Sequence, residues 1–277
     1  MSLSDAVSPD APDPYELLSW YAEMGVTEAL DEAPRNHFAD PAPAGERGGD
    51  GQPRLRPLPG RPAAPARPMA AAATAPDDAT VSARALAREA RTLDELKTAL
   101  AGFEGCALKA TAKNLVFADG NPQGRVMMVG EAPGADEDRI GLPFVGRSGQ
   151  LLDRMLAAIG LSRKDDVYIA NLLPWRPPGN RDPSIQEATI CLPFIQRQIE
   201  LADPDILVCI GKPSAQALLG FKSITASRGK WVEYDTGARR IRAIATLHPA
   251  YLLRRPLEKR LAWRDLRALK AALDGKA

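Results

Sequence analysis

The stretch that decides the fold reads Val126-Met127-Met128-Val129-Gly130-Glu131-Ala132-Pro133-Gly134-Ala135-Asp136-Glu137-Asp138. Its first four residues form an apolar run, the pattern of a strand buried on both faces. The run breaks into a Gly/Pro-rich turn, which puts backbone N–H groups and side chains at the carboxyl edge of a sheet. Open α/β sheets bind their ligands at that edge. Residues 167–170, 206–210 and 241–246 repeat the strand signal, and the last of these runs into Leu247-His248-Pro249-Ala250. Helical patterns at 150–159, 185–201, 214–219 and 257–273 separate or follow the strands. This alternation predicts an α/β fold: a three-layer α/β/α sandwich around a central, mainly parallel four-stranded sheet. Two sheet-edge loops, one acidic and one carrying a His, suggest a single active site built from distant segments.

Outward from this core the chain changes character. Residues 81–100 have helical spacing, and Thr92 with Glu95 can cap a second helix start. Residues 34–79 are rich in Pro, Ala, Gly and Arg, too poor in apolar surface to offset the entropy of ordering, so a disordered linker is expected there. Residues 1–33 contain Tyr15, Leu17, Leu18, Tyr21, Met24 and Val26 at roughly helical spacing. They are read as a short helix, either packed as an appendage or serving as a docking peptide. The compact domain is placed at 80–277.

The 277 residues carry 36 Lys+Arg against 35 Asp+Glu, so any nucleic-acid binding must come from a local basic patch. Three cysteines argue against a disulfide framework. The first residues are polar and acidic, without a signal-peptide pattern, and no apolar run is long enough to span a bilayer. A soluble, cytoplasmic protein is expected, with no membrane association, nucleoid-associated if prokaryotic.

Each candidate site residue has a functional and a structural reading. The turn 130–134 lacks the Gly-Lys-Ser/Thr of a P-loop and Pro133 removes an N–H, which excludes a triphosphate cradle. Asp136, Glu137 and Asp138 could position a water or stabilise a developing cation, or be solvated turn acids. Phe144, in Gly141-Leu142-Pro143-Phe144-Val145-Gly146, can stack on a planar base or plug the core. Asn171 ends the second strand; its amide matches the O4/N3–H edge of a uracil-like ring and rejects cytosine, or it closes a turn. Arg176, Asn180 and Arg181 stand in a stiff Pro-rich loop suited to phosphate contacts, which equally describes a surface loop. His248 is one of two histidines, and its position just after a buried strand favours function over structure. Arg254, Arg255, Lys259 and Arg260 follow it and form the candidate basic patch.

Over residues 106–273 the chain resembles the type-4 uracil-DNA glycosylases, within the uracil-DNA glycosylase superfamily. The resemblance rests on GEAPGADED, GLPFVGRSGQLLDRML, YIANLLPWRPPGNR, PFIQRQIELADPDILVCIG and LHPAYLL, in family order and spacing. It implies hydrolysis of the N-glycosidic bond of a flipped uracil in DNA, in base excision repair. Phe144 matches the family's uracil-stacking aromatic, Asn171 the residue that reads the uracil edge, and His248 the residue contacting uracil O2. Glu137 matches the acidic residue implicated in catalysis, and Asn180 a polar residue near the site. Glu131 and Ala132 fall where the backbone lines the pocket; the superfamily's more familiar Asp at position 132 is absent, as in type-4 members generally. Arg176, Arg181, Arg254 and Arg255 are the expected DNA contacts. Uracil-containing DNA is the expected partner, with a repair or replication protein on the N-terminal helix, and a monomer is expected.

One departure matters. Type-4 members typically bind a 4Fe–4S cluster through four cysteines, and those positions here are Phe103, Cys106, Trp175 and Cys191. Four thiolates are the usual requirement. Phe103 and Trp175 cannot ligate iron but can fill the space as an apolar plug, and Cys209 lies within a strand. No metal or cofactor is therefore expected. Among rival readings, covalent capture of uracil-DNA needs a His in a basic insertion after the second strand, and residues 175–181 have neither. A degenerate DNA-binding relative is argued against by retention of Glu137, Phe144, Asn171 and His248. Specificity for another deaminated base is left open by the pocket residues.

Overall fold

The computed structural model describes residues 76–276. The expected N-terminal helix and all but the last four residues of the expected linker lie outside them. Those four, 76–79, belong to the first turn of a helix. In chain order the elements are α1 (Pro76–Glu89), α2 (Leu93–Gly102), β1 (Ala118–Gly120), β2 (Val126–Gly130), α3 (Ala135–Ile140), α4 (Arg147–Ala157) and β3 (Val167–Asn171). Then come α5 (Ile185–Ala202), β4 (Ile206–Ile210), α6 (Lys212–Leu219), α7 (Ile224–Ser227), β5 (Trp231–Asp235), β6 (Arg240–Thr246), α8 (Pro249–Arg254) and α9 (Lys259–Leu273). Thr92 caps α2 as its sequence position predicts, its hydroxyl accepting from Glu95 N–H at 3.1 Å.

The sheet has six strands in the order β1-β3-β2-β4-β6-β5, not the four expected. The central β3, β2, β4 and β6 are parallel, as predicted. The two additional strands are antiparallel and lie at the edges, β1 on β3 and β5 on β6. Both escape a search for apolar runs. β1 is only Ala-Asp-Gly, and β5 is largely half-buried or exposed.

Every residue of β2, β3 and β4 is buried, because helices cover both faces of the sheet. Successive side chains alternate: Met128, Ile169 and Val208 pack with Leu152 and Leu156 of α4 and Leu266 and Leu269 of α9. Met127, Ala170 and Leu207 point the other way, onto Ile195 and Ile199 of α5 and Ala215 of α6. Burying each such aliphatic side chain contributes about 1.5–3 kcal/mol. Outside α5, the helices α1 and α2 enclose a further apolar cluster containing Leu96, Leu100, Phe103, Trp175 and Phe194. No helix among the described residues is long and apolar enough to cross a membrane.

The chain leaves β2 toward α4 on one face and leaves β4 toward α6 on the other. β2 and β4 are neighbours, so their outgoing loops part at the carboxyl edge. This is the crevice in which an open α/β sheet takes a ligand.

Candidate active site

At that edge Gly130 closes β2 directly beside Asn171 at the end of β3. A Cβ at position 130 would fall 2.5 Å from Asn171 Oδ1 and 2.7 Å from the Phe144 ring. Glycine here is a spatial requirement: it lets a polar amide and an aromatic ring converge on one point. Asn171 is buried, and among the described residues its Oδ1 has no hydrogen-bond partner. An unpaired buried carbonyl is costly and calls for an explanation. A ligand N–H donor supplies one.

Phe144 is buried and takes a left-handed backbone, φ +53°. Its ring centroid lies 5.5 Å from the imidazole of His248, with the planes 28° apart. His248 caps α8: its Nδ1 accepts from Ala250 N–H at 3.1 Å. A nitrogen that accepts carries no proton, so the neutral ring bears its proton on Nε2 and can donate from there. Burial pushes the imidazole pKa down to about 4; Arg254 adds to this and Glu137 opposes it. His248 is therefore neutral at physiological pH.

Around these residues lies a cavity of about 290 Å³. Its lining includes Glu131, Ala132, Glu137, Phe144, Asn171, Asn180, Arg181, His248 and Arg254, so the fold brings nearly all the sequence-predicted residues to one place. Two are not part of that lining. Arg176 stands behind Asn180, donating to its Oδ1 at 2.8 Å, and Arg255 is exposed beyond the end of α8. Arg181 is held in a two-pronged pair with Glu187, at 2.9 and 2.6 Å, which draws Glu187 down to about 2. Glu131 is raised above the usual carboxylate range, first by burial and then by Asp182. A larger cavity of about 610 Å³ adjoins the first, sharing Glu131, Asp182, His248 and Tyr251 with it.

The acidic run is sorted by the structure. Asp136 is exposed and pairs with Arg139. Asp138 is buried and accepts from the backbone N–H groups of Lys113 and Asn114 at 2.8 and 3.2 Å. Glu137 is buried, with Oε2 accepting from Gly134 N–H at 3.1 Å and Oε1 from Val145 and Gly146 N–H at 3.0 and 2.9 Å. Its carboxylate thus ties the loop after β2 to the loop carrying Phe144. Proximity along the chain suggested none of this for Val145 and Gly146, eight and nine residues away.

The four positions of the family's iron–sulfur ligands also converge. Phe103, Cys106, Trp175 and Cys191 are all buried in the cluster enclosed by α1, α2 and α5. Phe103 meets Phe194 edge to face at 5.1 Å. Cys191 Sγ donates to Cys106 Sγ at 3.8 Å, which together with burial holds the Cys191 thiol well above its ordinary pKa. Two touching thiols and two packed aromatics do not fit a four-iron cluster. Cys209 lies on β4 in the core against α5 and α6, where burial raises its pKa.

Comparison with known proteins agrees with this geometry. A family model described as the uracil DNA glycosylase superfamily matches residues 117–267. The type-4 uracil-DNA glycosylase of Archaeoglobus fulgidus is 42% identical over 169 residues, covering 59% of this chain and 84% of that protein. That of Saccharolobus solfataricus is 38% identical over 190 residues, covering 66% and 88%. That of Thermotoga maritima is 41% identical over 151 residues, covering 54% and 77%. The matched region contains β2 with its acidic turn, the Asn171 strand end and the His248 loop. On these grounds the chain belongs to the uracil-DNA glycosylase superfamily, on its type-4 branch.

Proposed function

We propose that this chain hydrolyses the N-glycosidic bond of uracil in DNA and leaves an abasic site. The observation that carries this reading is the buried Oδ1 of Asn171, without a hydrogen-bond partner among the described residues, beside the Phe144 ring. Uracil N3–H can donate to that oxygen while uracil O4 accepts from the amide nitrogen. Cytosine presents an acceptor at N3 and a donor at N4, so both contacts would oppose it. The uracil must first leave the base stack, at a cost of a few kcal/mol. Phe144 then stacks on it.

As the C1′–N1 bond breaks, its electron pair passes to the uracil ring and reaches O2. Neutral His248 offers Nε2–H to that oxygen, stabilising charge where it develops without itself giving up a proton. Water adds to the electron-poor C1′ and passes its proton to solvent, while uracil leaves as its N1 anion and is protonated in solution. Glu137 supports this chemistry as the tie between the two loops. Arg181 and Arg254 at the pocket, with Arg176 and Arg255 outside it, supply the positive edge for phosphates. Independently of that reading, we propose that residues 1–33 dock a repair or replication partner; partner binding and cellular repair unchanged after deletion of 1–78 would remove that assignment.

We also propose that the chain works without the family's iron–sulfur cluster. The packing of Phe103 and Trp175 supports this. Iron analysis of anaerobically purified protein is expected to give no stoichiometric iron, and four irons per chain would overturn it.

The function is tested by base release from an oligonucleotide bearing one uracil, with wild type and Asn171→Ala side by side. Alkali-labile cleavage by wild type, strongly reduced in the variant, is the expected result. No product from folded wild type would end the uracil reading. Base release from oligonucleotides bearing hypoxanthine or xanthine instead would redirect it to another deaminated base.

A further inference from the structure

Arg163 belongs to no motif that the family resemblance rests on. It lies in the loop between α4 and β3, and its side chain is only 16% exposed. Its Nη2 donates to the carbonyl of Phe144 at 2.7 Å and its Nη1 to the carbonyl of Pro143 at 2.9 Å. The same guanidinium is anchored from two sides, by Asp119 of β1 at 2.8 Å and by Asp153 of α4 at 3.0 Å.

These contacts fall on a strained, bulky residue of the site. A bulky residue at φ +53° persists only where its surroundings over-determine the backbone. On the other side of Phe144 the backbone of α4 comes so close that a Cβ on Gly149 would lie 1.7 Å from the Phe144 carbonyl oxygen. That oxygen is therefore held between Gly149 and the Arg163 fork. The backbone direction there sets where the Phe144 ring stands against Gly130 and His248. A planar guanidinium can bridge two carbonyls and two carboxylates together; a lysine ammonium has three donors at one point and cannot.

We propose that Arg163 is a positioning residue for base excision, holding the Pro143–Phe144 backbone so that the Phe144 ring keeps the face on which the flipped base stacks. The proposal rests on the uracil-glycosylase reading. A displacement of about 1 Å at a reacting group can cost on the order of 10²-fold in rate, and Arg163 is the side chain that holds the two carbonyls of this loop, as Glu137 holds the N–H groups of Val145 and Gly146 after them.

The test is a double-mutant cycle on single-turnover uracil release, with Arg163→Lys, Phe144→Ala and the double variant. Binding to an undamaged oligonucleotide is measured alongside. Arg163→Lys is expected to slow release about tenfold or more, equivalent to about 1.4 kcal/mol, with undamaged-DNA affinity unchanged. In the Phe144→Ala background the same substitution should change the rate by less than about twofold, because coupled residues are non-additive. Equal losses in both backgrounds, or no loss in either, overturn the proposal. If Arg163→Lys does not fold, Asp119→Asn loosens the anchor and leaves the guanidinium in place; it should slow release severalfold only when Phe144 is present, and an unchanged rate overturns the proposal. An inactive wild type sinks the glycosylase reading and this proposal with it, whereas an active wild type with additive losses sinks only the proposal.

Discussion

Gly130 and Asn171 stand side by side across the β2–β3 pair, and the missing side chain of one makes room for the amide of the other. Gly130→Ala puts a methyl where the Asn171 oxygen and the Phe144 ring converge. Uracil release should fall on the order of 10²-fold or more, about 2.7 kcal/mol of transition-state stabilisation. Circular dichroism should still report a folded domain, since the clash is with side-chain ends at the pocket.

His248 gives a prediction in pH. Its folded pKa, about 4, lies below the unfolded value of about 6.5. Between these values the unfolded chain binds the extra proton, so stability rises with pH across that window and is lost as pH falls from about 6.5 toward 4. His248→Asn should flatten the dependence of Tm on pH there. Wild-type turnover should show no loss from His protonation between pH 8 and about 5.5.

Glu137 accepts three backbone N–H groups from two loops. Glu137→Gln replaces one acceptor by a donor facing an N–H. Urea unfolding should report a loss of about 1–3 kcal/mol. Uracil release should fall in the same variant, because the loop bearing Phe144 loses its tie. A rate loss with unchanged stability would instead assign Glu137 to the chemistry itself.

Trp175 fills the interior at 2% exposure, among Phe103, Cys106 and Cys191. Trp175→Ala should lower unfolding free energy by about 3–5 kcal/mol. The measurement is denaturant unfolding at pH 7, with and without a chelator; the chelator should change neither curve.

The parts of the molecule legible in the sequence share a physical basis. The four central strands are continuous apolar runs because helices cover both their faces. Asn171 and His248 were identifiable because each ends such a run, and a chain leaving a buried strand at the carboxyl edge arrives at the crevice. The edge strands carried no such signal: Asp119 of β1 is polar because it faces Arg163 rather than a core. The sequence offers Glu137 as a catalytic or a solvated acid but not as a tie between loops, because its partners Val145 and Gly146 contribute only backbone, which a sequence does not display. Arg163 was missed for the same reason in reverse. Its targets are the carbonyls of Pro143 and Phe144, and nothing in Ser162-Arg163-Lys164 distinguishes it from an ordinary surface cation.

The hydrogen bond from Ala250 N–H to His248 Nδ1 has a further consequence. In many sites the tautomer of a histidine is chosen by a second side chain, and a single substitution there can reverse the choice. Here the chooser is main chain. It does not titrate, does not oxidise and survives any replacement of Ala250 except proline. The identity of the side chain at 250, which itself lines the pocket, therefore does not decide which nitrogen of His248 carries the proton.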